Sequence, residues 1–176
     1  MNDTLRAKLT SLISDKIVQH QFLENAFVHI EPLILHAFGA QHLSIFQRRT
    51  GHNNDLVSRF RTKDEVREVI VGINPHSIVG YVAMAQQPVF INDPYNPDEI
   101  KKIHKKLRFE QKYDRLRSVP TENILCVPIL FDGILLGVIE IMNKQLRQFN
   151  EDDIQLALDV ASMLAVSYRY EIGGTK

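Results

Sequence analysis

The chain has 176 residues, 44% hydrophobic and 24% charged, with 21 Lys and Arg balancing 21 Asp and Glu. That length suits one globular domain with a full core, and zero net charge argues against a dedicated nucleic-acid binder. No apolar run approaches the roughly 18 residues of a membrane span, and no apolar segment follows the charges of Met1 to Arg6. A soluble, cytoplasmic protein with neither nucleic acid nor membrane as partner is expected.

In chain order, Leu5, Leu9, Leu12 and Ile17 make one amphipathic stripe. Leu23, Phe27, Ile30, Ile34 and Phe38 make a second, which stops at Gly39, a helix C-cap residue. Two N-terminal helices are therefore expected, with Pro32 a candidate kink. Leu43–Gln47, Leu56–Phe60 and Val66–Ile73 read as short strands separated by turn-rich and polar segments, which makes an antiparallel meander. Ser77 is placed to cap a short helix over Ile78–Gln86, after which Val89–Ile91 resumes extended structure until Asn92-Asp93-Pro94 breaks it.

Between Lys101 and Arg117 stand eight basic residues (Lys101, Lys102, Lys105, Lys106, Arg108, Lys112, Arg115, Arg117) against Glu110 and Asp114. Ile100, Ile103 and Leu107 fall at helical spacing, so this run reads first as a solvated helix face and second as an anion-attracting patch. Ile124–Phe131 and Ile134–Met142 are apolar and rich in β-branched residues. Asp132-Gly133 between them predicts a two-residue type I′ hairpin. Pro128 has no N–H to give a ladder, so its strand must be an edge or carry a bulge there. Glu140 interrupts an otherwise apolar strand, and a buried carboxylate needs a partner, either a ligand or a structural group. A final helix begins near Asn150, with Ile154, Ala157, Leu158, Ala161, Leu164, Ala165 and Tyr168 along one stripe. Helices at both ends of a mostly antiparallel sheet define an α+β fold.

Three segments in this order, Ser77 to Ala83, Thr121 to Pro128 and Gly137 to Lys144, resemble a GAF domain. The likeness is to the regulatory kind found in cyclic-nucleotide phosphodiesterases, adenylyl cyclases and bacterial signalling proteins, and it covers about Gln41 to Tyr168. It implies a GAF-like antiparallel sheet with the N- and C-terminal helices on one face and crossover helices on the other. The family's Asn-Lys, Phe and Asp signature matches Asn143, Lys144, Phe149 and Asp153, with Ile154 where the family carries Glu. A Lys at a strand end and an Asp on the next helix make a structural ion pair more naturally than a ligand contact. Lys144→Ala is thus expected to loosen the fold and weaken binding only indirectly.

The resemblance also implies a ligand pocket between the sheet and the crossover helices, with Ser44, Phe60, Val79, Asp114, Thr121 and Glu140 at the contact positions. An aromatic face, short hydroxyls and carboxylates suit a purine with exocyclic donors. The family's Asp after the stacking aromatic is Arg61 here, and its Thr-Gly before the Thr121 strand is Arg117-Ser118. Those arginines either favour a more anionic ligand through bidentate contacts or point to solvent. No resident cofactor or metal is expected, only a bound cyclic nucleotide or other small ligand.

Catalysis by this chain is not expected. Cys126 is the sole cysteine, which excludes an intramolecular disulfide and a multi-cysteine metal site. The free methionine sulfoxide reductases that share the GAF fold need several cysteines, and bilin carriers need one facing the pocket from a loop or helix. The seven histidines show no metal-ligand spacing, leaving haem through His76 or His104 as an open option. No Walker loop, dinucleotide turn or nucleophile elbow is present. Residues 1–40 are assigned to N-terminal helices, 41–170 to the sensor domain and 171–176 to the start of a linker. Two functions stay open: a small-molecule sensor signalling through its terminal helices to an output domain outside this chain, or a dimerisation module with a vestigial pocket. In the second, Leu5, Leu9 and Leu12 with Leu158, Ala161 and Ala165 form the bundle. A homodimer fits both.

Overall fold

The structure, a computed structural model, describes residues 3–20, 23–48, 51, 54–61, 68–117 and 119–173. Helices α1 (Asp3–His20) and α2 (Leu23–Phe38) precede strands β1 (His42–Arg48), β2 (Asp55–Arg61) and β3 (Ile70–Gly72). Helix α3 (Ile78–Ala85), β4 (Val89–Ile91), α4 (Pro97–Ile103) and α5 (Lys112–Arg117) form the crossover. It leads to β5 (Ile124–Phe131), β6 (Ile134–Met142) and α6 (Glu151–Gly173). The six strands lie in the order β3-β2-β1-β6-β5-β4, every pair antiparallel.

Period-2 alternation divides the core into two layers. Leu43, Ile45, Leu125, Val127, Ile139 and Ile141 face α2 and α6, and Ser44, Phe46, Cys126, Val138, Glu140 and Met142 take the opposite face. Helix α1 packs outside α2 and α6, and its Arg6 pairs with Asp159 of α6. Its buried stripe is Ile13 and Ile17, with Leu9 partly buried, whereas Leu12 is exposed. The expected Leu12 contact is therefore off by one position. Ile13 lies one turn before Ile17 and takes the core side, and the side chain of Leu5 lies outside the described residues. The second stripe is buried from Phe27 to Phe38, and Gly39 ends the helix in the left-handed region at φ +62°.

The hairpin forms as the dipeptide requires, Asp132 and Gly133 having φ of 48° and 75°. Pro128 meets both alternatives. Strand β4 pairs only with Ile124 to Cys126, so Pro128 lies beyond that pairing, and the ladder to β6 shifts register between Ile129 and Leu130. β3 is shorter than the expected Val66–Ile73 strand; Val69 instead accepts the Ser58 N–H at 2.9 Å just before it, and residues 62–67 are outside the described set.

The basic run is not one helix. Asn96 caps α4, its side chain accepting the Asp98 and Glu99 N–H groups, and the helix stops at Ile103. His104 to Gln111 then cross the sheet without helical structure, and Leu107 is fully buried there. Core burial of Leu107, together with the bond from the Arg108 N–H to the His76 carbonyl at 3.2 Å, overrides the helical spacing of Ile100, Ile103 and Leu107.

Ala157, Ala161 and Ala165 are all buried within the chain's own core. Their small size brings α6 close to β5 and α2, so Ala161 and Ala165 are not available to the bundle expected of them. Among the described residues no helix is long and apolar enough to cross a membrane.

Candidate functional site

A cavity of about 270 Å³ opens on the sheet face opposite α2 and α6. Phe46 of β1, Ile124 of β5 and Glu140 with Met142 of β6 make its floor. β3 and the loop into α3 form one wall, and Arg108 to Tyr113, the segment that leads into the first turn of α5, form the roof. Small-ligand clefts run roughly 300–1,000 Å³, so this one suits a compact guest.

The wall depends on Gly80. A Cβ there would stand 2.3 Å from the Gly72 carbonyl oxygen and 2.8 Å from that of Asn74, so only glycine lets the first turn of α3 approach β3. Ser77 caps that turn by accepting the Gly80 N–H at 3.1 Å, and Val79 reaches the cavity from it.

Glu140 is the partly buried carboxylate of the floor. Ser44 lies buried directly across the β1/β6 ladder from it and does not line the cavity. Cys126 lies across the β5/β6 ladder, fully buried, its Sγ 4.0 Å from Glu140 Oε1. Burial, and secondarily the Glu140 charge, push its thiol well above the ordinary value, so it does not supply a thiolate.

The roof carries opposite charges. Arg108 Nη1 donates to the carbonyls of Leu107 at 2.7 Å and Lys105 at 3.1 Å, which orients the guanidinium. Lys112 pairs with Glu110 at 3.0 Å, and that hydrogen bond, ahead of the charges of Tyr113 and Glu110, raises the ammonium pKa. His76 lines the wall and is exposed. His104 does not line the cavity; its ring lies 5.6 Å from that of Tyr81, and its Nδ1 accepts the Lys106 N–H at 3.2 Å.

Asp114 and Thr121 are brought together, but with each other. The Asp114 carboxylate accepts the Thr121 N–H at 2.8 Å and its hydroxyl at 2.6 Å, and also the Tyr95 hydroxyl. Tyr95 in turn meets Phe109 edge-on at 5.3 Å. This buried knot ties α5 to the start of β5 and holds the roof down. The side chains of Phe60, Arg61 and Arg117 lie outside the described residues.

The Asn143 to Asp153 segment is a second knot, adjoining the first through Pro120 and Glu122. Asn143 adopts φ 59°, accepts the Glu122 N–H at 2.8 Å and donates to the Pro120 carbonyl at 3.1 Å. Lys144 Nζ meets Asp153 Oδ2 at 2.5 Å with both residues buried, and lies 5.4 Å from the Phe149 ring centroid. Asp153 also accepts the Asn150 N–H at 3.0 Å while Asn150 accepts the Asp153 N–H at 3.2 Å, a reciprocal cap on α6. None of these four lines the cavity.

Sequence reasoning did not place Arg108, Phe109 or Tyr113 at the site, and it named His76 only as an option for haem. The basic run was visible, but the break that carries Arg108 to the rim of the cavity rests on a long-range bond to His76. Among the described residues no cluster of three or more His, Cys, Asp or Glu side chains can hold a metal.

A curled antiparallel sheet with a cavity under a crossover roof, and helices at both chain ends on its other face, defines an α+β domain. The GAF domain model matches residues 31–168, and the chain belongs to the GAF family. It is 31% identical over 115 residues to the dual 3′,5′-cyclic-AMP and -GMP phosphodiesterase 11A of Takifugu rubripes, covering 59% of this chain and 12% of that protein. It is 33% identical over 76 residues to the probable 3′,5′-cyclic phosphodiesterase pde-5 of Caenorhabditis elegans, covering 43% and 9%. The chain thus spans about a tenth of the length of these relatives. Among solved structures, the GAF domain of a phosphoenolpyruvate-protein phosphotransferase from Coxiella burnetii superposes with a TM-score of 0.77 at 17% identity, covering 99% of both chains. The free methionine-R-sulfoxide reductase of Neisseria meningitidis gives 0.76 at 16%, covering 99% and 96%. These structures share the fold. The GAF domain is a regulatory domain in phosphodiesterases.

Proposed function

We propose that this chain is a non-catalytic regulatory domain that binds a small molecule, such as a cyclic nucleotide or another purine or anionic compound, in the cavity beneath Arg108–Tyr113. Its occupancy is passed through α1, α2 and α6 to an output domain outside the chain. The observation that carries this reading is the cavity itself, with apolar walls, one floor carboxylate and a charged roof. That is the make-up expected of a small-ligand site.

The transmission follows from the sheet's being one layer thick. Cys126 and Glu140 face the cavity while their neighbours Leu125, Val127, Ile139 and Ile141 face α2 and α6. A ligand that shifts β5 against β6 thereby shifts the seat of α6, provided it binds the two arrangements with different affinity. The buried, protonated Cys126 supports the non-catalytic part, because thiol–disulfide chemistry needs an accessible thiolate.

A second reading, a dimerisation module, draws on a different observation: Leu12, Val18, Val28 and Val166 stand exposed on the terminal helices. The sensor is expected to use the same surfaces as a homodimer, so oligomeric state does not separate the two. Native mass spectrometry of freshly purified protein, with thermal melting against cyclic mononucleotides, cyclic dinucleotides, purines and small anions, does. A bound ligand at a hundredfold excess over its Kd adds about 2.7 kcal/mol of stability. No co-purified mass and no shift across the panel, beside a stable dimer, would overturn the sensor in favour of the module.

A further inference from the structure

Resting on the proposal that the cavity holds a small ligand, we infer that its guest is an uncharged cyclic imide, a ring such as uracil in which an N–H stands between two carbonyls. The main chain of β3, at the free edge of the sheet, reads that edge of the ring.

Strand β3 ends the sheet and pairs only with β2. Residues of an antiparallel pair alternate between bonding the partner strand and pointing away from it. Two bonds fix the alternation here: the Ser58 N–H donates to the Val69 carbonyl at 2.9 Å, and the Ile73 N–H to the Asn54 carbonyl at 2.6 Å. Val71, opposite Leu56, falls in the same phase, so Val69, Val71 and Ile73 turn main-chain groups to β2 while Ile70 and Gly72 turn theirs outward. Both outward residues line the cavity, and Gly72, without a side chain, does so through its main chain. The Ile70 side chain is 47% exposed, on the face opposite Val69 and Val71, which pack in the core. The first turn of α3 closes on the Gly72 carbonyl. Among the described residues no protein group bonds the other three, the Ile70 N–H, the Ile70 carbonyl and the Gly72 N–H.

Along the strand these groups run donor, acceptor, donor. Their complement is acceptor, donor, acceptor, which is the edge of a cyclic imide. Asn74 adds a donor at the Gly72 end, since its Oδ1 accepts the His76 N–H at 3.0 Å and its Nδ2 lies over Gly72. A cavity of about 270 Å³ suits a single ring. A lactam meets two of the three groups, and an N-alkylated imide offers no donor, so each leaves part of the edge unmet once water is displaced.

The test is thermal melting and calorimetric titration of the full chain with uracil and glutarimide. N-methylglutarimide, which lacks the donor, and δ-valerolactam, which lacks one acceptor, serve as matched controls. At least one imide is expected to bind, and the two controls to bind at least about tenfold more weakly, the scale of one unmet hydrogen bond. Ile70→Pro removes a donor at an edge position that gives the ladder no N–H, where proline is tolerated. It should erase the preference for glutarimide over δ-valerolactam, and Ile70→Val, which keeps the N–H, should preserve it. In the wild type, amide-resolved NMR should show the Ile70 and Gly72 amide protons shifting downfield and exchanging more slowly with glutarimide bound. An imide that binds and leaves both amides unmoved would overturn the assignment to β3. Binding of cyclic AMP or a small anion without any imide would overturn this inference and leave the sensor standing. Silence from every compound would overturn both.

Discussion

Replacing Lys144 with methionine keeps all but the last atom of the side chain's length and removes its charge, leaving the Asp153 carboxylate buried opposite an apolar group. Lys144 and Asp153 are 5% exposed each, and the Nζ–Oδ2 distance is 2.5 Å. Removing one partner of a buried pair costs about 3–5 kcal/mol, against a total domain stability of about 5–15 kcal/mol. In a domain of this size each kcal/mol moves the midpoint by about 2–4 °C, so Lys144→Met should lower Tm by about 6–20 °C. The lower part of that range is expected, because Asp153 keeps the Asn150 N–H, and Arg147 Nη2, 4.0 Å from Oδ1 on a half-exposed side chain, can swing closer. The assay is thermal and urea unfolding of wild type, Lys144→Met, Asp153→Asn and the double variant. Asparagine still accepts the Asn150 N–H, so the double variant should recover about 1–3 kcal/mol over Lys144→Met by removing the stranded charge. A shift under about 2 °C in Lys144→Met, or a double variant no more stable than it, would refute a buried clamp. Ligand affinity measured well below Tm should be unchanged, since the pair does not line the cavity.

Asp114→Asn should lower the stability of the free protein by about 1–3 kcal/mol, because an amide serves the Thr121 and Tyr95 donors less well than a carboxylate. Hydrogen exchange should rise in residues 108–121 before it rises in β5 and β6. A variant that loses ligand affinity with unaltered stability and exchange would make Asp114 a direct ligand contact instead. Cys126 should resist thiol-directed labelling in the native protein and react on unfolding, and the destabilised Lys144→Met should label faster. Its raised pKa means that only the unfolded chain ionises the thiol just above the ordinary value of 9.0. The thiol's contribution to stability is therefore full below that pH and lost as pH rises through it toward the folded value. Cys126→Ala should remove that component from the unfolding-versus-pH curve, and an unchanged curve would place the thiol in water.

What the sequence by itself determined was whatever a local rule controls. The hairpin follows from Asp132-Gly133 and the α3 cap from Ser77. The bounds of β5 and β6 follow from apolar runs rich in β-branched residues, and the course of α2 follows from a stripe that ends at Gly39. The pairing of Lys144 with Asp153 was legible for a similar reason, since they are nine residues apart on consecutive elements.

Tertiary structure alone decided the rest, because each remaining feature is a contact between distant segments. Leu107 was legible as apolar, but not that the core would pull it out of helical register and carry Arg108 over the cavity. Asp114 was legible only as a contact position that the family resemblance implied. Its partners include Thr121 and Tyr95, a choice made by the fold of a loop whose spacing follows no period. The alanines of α6 fit close packing equally well inside or outside the molecule, and only the seat of α6 on β5 turned them inward. Periodicity tells which residues share a face, and only packing tells what that face meets.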